Sequence, residues 1–102
     1  MSGVNLAKKI MAQYNTANVF EIVQSAGITL IYAHWHPTTM GEFHKKTKMI
    51  YINLNFVLEK ERIIAHELGH YFMAENGIIL SRIEEEKRVE EFVEKLFSQK
   101  VP

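Results

Sequence analysis

Ile63-Ile64-Ala65-His66-Glu67-Leu68-Gly69-His70-Tyr71-Phe72 combines a strong apolar pattern with the densest chemistry in the chain. As a helix, this stretch puts His66 and His70 on one face, about one turn apart. Ile64, Leu68, Tyr71 and Phe72 form an apolar stripe beside them. Ala65 and Gly69 are small. A glycine costs about 1 kcal/mol in a helix interior, so Gly69 implies that something packs closely against it. Two imidazoles so spaced can grip one Zn²⁺ at about 2.0–2.1 Å. Glu67 follows the first histidine and lies to one side, where its carboxylate need not compete as a ligand.

The pattern H-E-x-x-H is that of zinc-dependent peptidases, in which the glutamate takes a proton from water at the metal. Chance alone produces it in roughly 3 of 100 sequences of this composition, so context has to carry the argument. The plain alternative is a partly exposed helix that happens to hold two histidines. A position in mid-helix, beside an apolar stripe and a small-residue face, favours a metal site.

Composition narrows the chemistry. The chain has 102 residues, of which 47% are hydrophobic, as expected for one modest globular core spanning 1–102. Formal net charge is zero, so no global field draws it to nucleic acid or to a membrane surface. All the acidic residues are glutamates, and there is no cysteine. Disulfides, thiolate zinc sites and cysteine nucleophiles are therefore excluded. The first twenty residues lack the apolar run of a signal peptide, and no stretch approaches the ~20 residues needed to span a bilayer. A soluble cytoplasmic protein is the expectation.

Val4, Leu6, Ala7, Ile10, Met11 and Tyr14 have helical spacing, and Asn15-Thr16 breaks it. Val19, Phe20, Ile22 and Val23 belong to a second helix that Gly27 closes. Both helices read as core-forming. Ile28 to Trp35 is rich in β-branched and aromatic residues and reads as a strand, ended by Pro37-Thr38-Thr39. Gly41 to His44 and Met49 to Ile52 read as two more, joined by the basic turn Lys45 to Lys48. Strands joined this closely predict a small, largely antiparallel sheet and an α+β fold. Asn55 is a candidate N-cap for the histidine helix, which Asn76-Gly77 ends. Ser81-Arg82-Ile83-Glu84 matches a capping box and starts a final helix with the stripe Val89, Phe92, Val93 and Leu96.

Catalytic zinc usually takes three protein ligands and a water, so a third ligand is needed. Glu84 is committed to the cap. Glu85 and Glu86 flank the final apolar stripe at about 40° and 60° from Val89, and helical geometry does not separate them. Their plain role is to favour the positive end of the helix dipole. His34 and His36 alternate along a strand edge, and with no third ligand in view surface roles fit them better. His44 and the lysines after it read as a solvated hairpin tip. As further oxyanion donors, Tyr51, Tyr71, His34, His36 and His44 qualify by residue type alone. If Gly41 to His44 is a sheet edge near the metal, an extended peptide can add to it as another strand.

Several segments, in order and over nearly the whole length, resemble the ImmA/IrrE family of zinc-dependent metallopeptidases of phages, mobile elements and bacteria. Asn18-Val19-Phe20-Glu21-Ile22 with Ala26-Gly27-Ile28 resembles the family's N-P-F-E-I and the strand start after it. Met49-Ile50-Tyr51-Ile52-Asn53 resembles its I-x-I-N strand, and Glu61 to His70 its R-x-x-x-A-H-E-L-G-H core. Glu86-Lys87-Arg88-Val89-Glu90-Glu91-Phe92-Val93 is similar to its E-x-x-A-N-x-F-A segment. The resemblance implies a small zincin-like domain and Zn²⁺ held by His66, His70 and Glu86, with Glu67 as general base. It also implies an endopeptidase acting on a regulatory protein such as a helix-turn-helix repressor. The competing reading is a catalytically weak metal-binding interaction module on the same fold; a metal-free structural domain comes third. Val89 and Val93 stand where the family has alanines, a bulk expected to space the last helix from the active one. Glu90 replaces the family's asparagine. The chain stops soon after Phe97, so specificity elements that many relatives carry beyond that point are expected to be missing.

Overall fold

The structure, a computed structural model, describes residues 2–98. Helix α1 (Gly3–Tyr14) starts where the Ser2 hydroxyl accepts the Asn5 N–H, and ends at Asn15 in the left-handed region. Helix α2 (Val19–Ala26) starts on Asn18, whose Oδ1 accepts the N–H groups of Phe20 and Glu21. Gly27 closes it with φ of 73°, a conformation that glycine adopts without a Cβ penalty. Strands β1 (Thr29–Ala33), β2 (Gly41–His44) and β3 (Met49–Asn53) follow, then helices α3 (Lys60–Glu75) and α4 (Arg82–Ser98).

The sheet order is β1-β3-β2, with β2 antiparallel to β3 and β1 parallel to it. The sheet is therefore mixed rather than largely antiparallel. The cause is the connection of residues 34–40, which is too long for a tight hairpin and carries the chain one strand-width past β1. β3 then returns into the gap. Two antiparallel steps make a parallel pair, and β2 becomes an edge.

Asn53 fixes this crossover. It is fully buried, its Nδ2 donates to the carbonyls of His36 (2.9 Å) and Thr39 (2.6 Å), and its Oδ1 accepts the N–H groups of Trp35 and Asn55. Asn55 is not the cap of the histidine helix. It is drawn to the same crossover, with Nδ2 donating to the Trp35 carbonyl and Oδ1 bonded to His34 Nδ1, while α3 begins after Glu59 without a side-chain cap.

One contiguous apolar core holds these elements. Ile50 and Ile52 present the sheet's buried face, and Ile63, Ile64, Leu68, Tyr71 and Phe72 of α3 pack among them. α4 buries Val89, Phe92, Val93 and Leu96, and its Ser81 hydroxyl accepts the Glu84 N–H at 3.2 Å. Only that half of the capping box forms, because the Glu84 carboxylate turns forward to Arg88. α1 lies along α4 through Leu6, Ala7 and Ile10. At Gly3 the approach is so close that a Cβ would stand 1.9 Å from the Arg88 carbonyl oxygen, and the Gly3 N–H donates to Glu91. α3 and α4 pack closely at Gly69, where a Cβ would lie 3.0 Å from Val89 Cγ1 and 3.2 Å from Phe92 Cδ1. Val89, one of the two valines expected to space the last helix from the active one, thus sits against the missing side chain of Gly69.

Candidate metal centre

His66 and His70 project from one face of α3 into a cleft of about 550 Å³ bounded by β2, α3 and the start of α4. Their Nε2 atoms stand 3.2 Å apart. Burial holds His66 below the ordinary imidazole value, neighbouring His70 adds to that, and Glu86 and Glu90 oppose it. A neutral imidazole keeps a lone pair for a metal. The Phe43 ring lies parallel to the His70 ring at 6.1 Å between centroids and limits its rotation.

Glu86, on the first turns of α4, brings Oε1 to 3.0 Å from His70 Nε2 and Oε2 to 3.4 Å from His66 Nε2. Ligand atoms held about 2.0–2.1 Å from a tetrahedral centre stand about 3.3 Å apart; the two Nε2 atoms are at that spacing, and the Glu86 carboxylate reaches each of them through a different oxygen. Two imidazole nitrogens and one carboxylate are a donor set that suits zinc. The residues present fit zinc, and among the described residues these three form a group able to hold a metal ion.

The two candidate glutamates separate here. Glu85 reaches past the cluster to the far side of His70, where its Oε2 lies 2.5 Å from Nδ1. Glu67 is almost entirely buried at the cleft floor, at 5% exposure. Loss of solvation pushes its carboxyl up to about 7; Glu86 and Glu42 add to this, and His70 works against it. Across the cleft, Gly41 lets β2 approach: a Cβ there would meet the Tyr51 carbonyl at 2.6 Å and Glu67 Cγ at 3.2 Å.

The remaining histidines stay outside. His34 bonds Asn55, His36 bonds the Thr38 hydroxyl, and His44 pairs with Glu42 at 3.0 Å. Tyr51 packs against Trp35 and His44, and Tyr71 opens on a different hollow. None of these five lines the cleft. The donor-bearing side chains on its walls, apart from the histidines, are Thr38 and Arg82, neither of which stood out by residue type.

Fold and cluster together define a metallopeptidase-like domain. The sequence profile of the IrrE N-terminal-like domain, peptidase M78, matches residues 23–96, and the chain belongs to that family. The match runs from α2 through the sheet and α3 into the last turns of α4, and leaves α1 outside. Comparisons with curated proteins and with solved structures give no significant match. No helix among the described residues is long and apolar enough to cross a membrane.

Proposed function

We propose that the chain is a zinc-dependent endopeptidase in which His66 Nε2, His70 Nε2 and the Glu86 carboxylate hold the metal and Glu67 is the general base. The observation that carries this reading is the set of separations among those three groups, 3.0 to 3.4 Å, beside a buried carboxyl. Zinc bound there supplies a Lewis acid that polarises the scissile carbonyl and acidifies the attacking water. Glu67 accepts the water proton at its carboxylate and hands it to the leaving amine. Burial of the Glu67 carboxyl, which raises its affinity for a proton, supports that role.

The edge strand β2 offers the substrate a track. The Asn53 N–H donates to the Met40 carbonyl, so by alternation Gly41 and Phe43 direct their backbone groups away from β3. An extended peptide adds there as a further strand and passes its carbonyl over the cluster. The substrate class is a folded regulatory protein with an extended segment to offer, in keeping with a helix-turn-helix repressor. Phe43→Pro deletes an outward N–H and raises KM more than Phe43→Ala, which removes only the ring. Equal KM values for the two variants would remove strand addition.

Elemental analysis tests the ligand set. Wild-type protein carries one zinc per chain, and His70→Ala and Glu86→Ala lose it. Full zinc content in Glu86→Ala would take that residue out of the centre.

A further inference from the structure

Two consecutive glutamates of α4 address the two nitrogens of one imidazole. Glu86 faces His70 Nε2 at 3.0 Å, and Glu85 faces Nδ1 at 2.5 Å. Successive helical positions differ by about 100°, so neighbours seldom serve the same ring. They do so here because His70 stands edge-on between them, kept in plane by Phe43 stacked at 5°. The Glu85 contact is also sheltered, with its side chain 31% and that of His70 13% exposed.

We propose that Glu85 is a positioning residue for the metal centre: it accepts the Nδ1–H of His70, and so leaves Nε2 alone to offer its lone pair to zinc. An imidazole free to choose its tautomer spends part of its time with the proton on the ligating nitrogen. A carboxylate on the other nitrogen ends that choice, fixes the ring plane and makes the ligand more basic. Partners of this kind contribute about 10- to 100-fold in metal affinity. The inference rests on the metal-centre reading above. It differs from a helix-dipole role, which Glu84 on the same first turn shares without touching a histidine.

Two readouts test it, one of them independent of metal. In chelator-treated Glu86→Ala protein, where no carboxylate competes for a proton on Nε2, ¹⁵N-detected imidazole spectra show His70 in the Nδ1–H form with Glu85 intact, with Glu85→Gln and with Glu84→Ala. Glu85→Ala shows a tautomer mixture. The Gln variant keeps an acceptor oxygen, so its tautomer is rescued although its charge is lost. In chelator competition, zinc affinity falls about 10- to 100-fold in Glu85→Ala and less in Glu85→Gln, and is unchanged in Glu84→Ala. A Glu85→Ala protein with the wild-type tautomer and affinity would overturn the proposal. So would complete loss of zinc equal to that of Glu86→Ala, because Glu85 would then be a ligand. Wild-type protein that binds no zinc would sink the metal-centre reading, while the tautomer spectra still decide for or against Glu85.

Discussion

Two hollows open on α3, one at its middle and one at its C-terminal end, and they differ in where their polar groups point. The smaller, about 310 Å³, is lined by Lys9, Tyr14, Lys48, Tyr71, Glu75 and Asn76 among others. Its cations are used internally. Lys9 donates to the Asn76 side chain, which in turn donates to the Phe72 carbonyl, and Lys48 donates to the Ala26 carbonyl. These bonds finish the C-termini of α2 and α3, whose last carbonyls have no partner within the helix. In the larger cleft the imidazoles of His66 and His70 and the Glu86 carboxylate turn toward one another rather than toward a helix end. The smaller hollow spends its polar groups on closing the fold, and the larger one gathers them at a single point.

The sharpest way to break the contrast is Glu67→Gln. It lowers kcat/KM by about 100- to 10,000-fold in a cleavage assay while zinc content stays at the wild-type level. Unchanged turnover would take Glu67 out of the chemistry, and absence of turnover in the wild type as well would leave the larger cleft a binding module.

The next effect is read without metal. Glu67 holds its proton in the fold up to about 7, against an ordinary value of 4.5 in the unfolded chain. Its contribution to stability is complete below 4.5 and declines as pH rises through 7, because only the unfolded chain ionises in that window. Chemical denaturation of chelator-treated wild type and Glu67→Gln at several pH values should show the difference between them change by about 3 kcal/mol across it. A constant difference would mean that Glu67 is ionised in the fold throughout.

Asn53→Ala comes third. It strips the crossover of its hub and leaves buried backbone groups unpaired, a loss of about 2 kcal/mol measurable by urea denaturation. The least effect belongs to the smaller hollow. Lys9→Met costs under about 1 kcal/mol and leaves zinc affinity as it was; weakened zinc binding there would show that the hollows are coupled.

The elements legible in the sequence are those whose causes are local. Asn18 before α2, Gly27 and Gly77 beyond helix ends, and the spacing of His66 and His70 each speak for a single turn of backbone. What stayed hidden depends on contacts distant along the chain. The parallel pairing of β1 with β3 needs β2 to travel past an empty place, and Asn53 secures that with bonds to residues up to eighteen positions earlier. The order of Glu85 and Glu86 around His70 likewise follows from how α4 rolls on Gly69 and Val89, which periodicity does not encode. Helical geometry left both glutamates eligible. The family resemblance chose Glu86, and in the structure Glu85 lies on the other side of His70, against Nδ1.

Gly3 carries a consequence for chemistry far from it. With no room for even a methyl group above the Arg88 carbonyl, α1 acts as a splint that sets the tilt of the helix bearing both glutamates. A segment outside the family match therefore backs the helix that carries Glu86. Loosening that splint is expected to free the carboxylates of α4 before it disturbs the two histidines of α3.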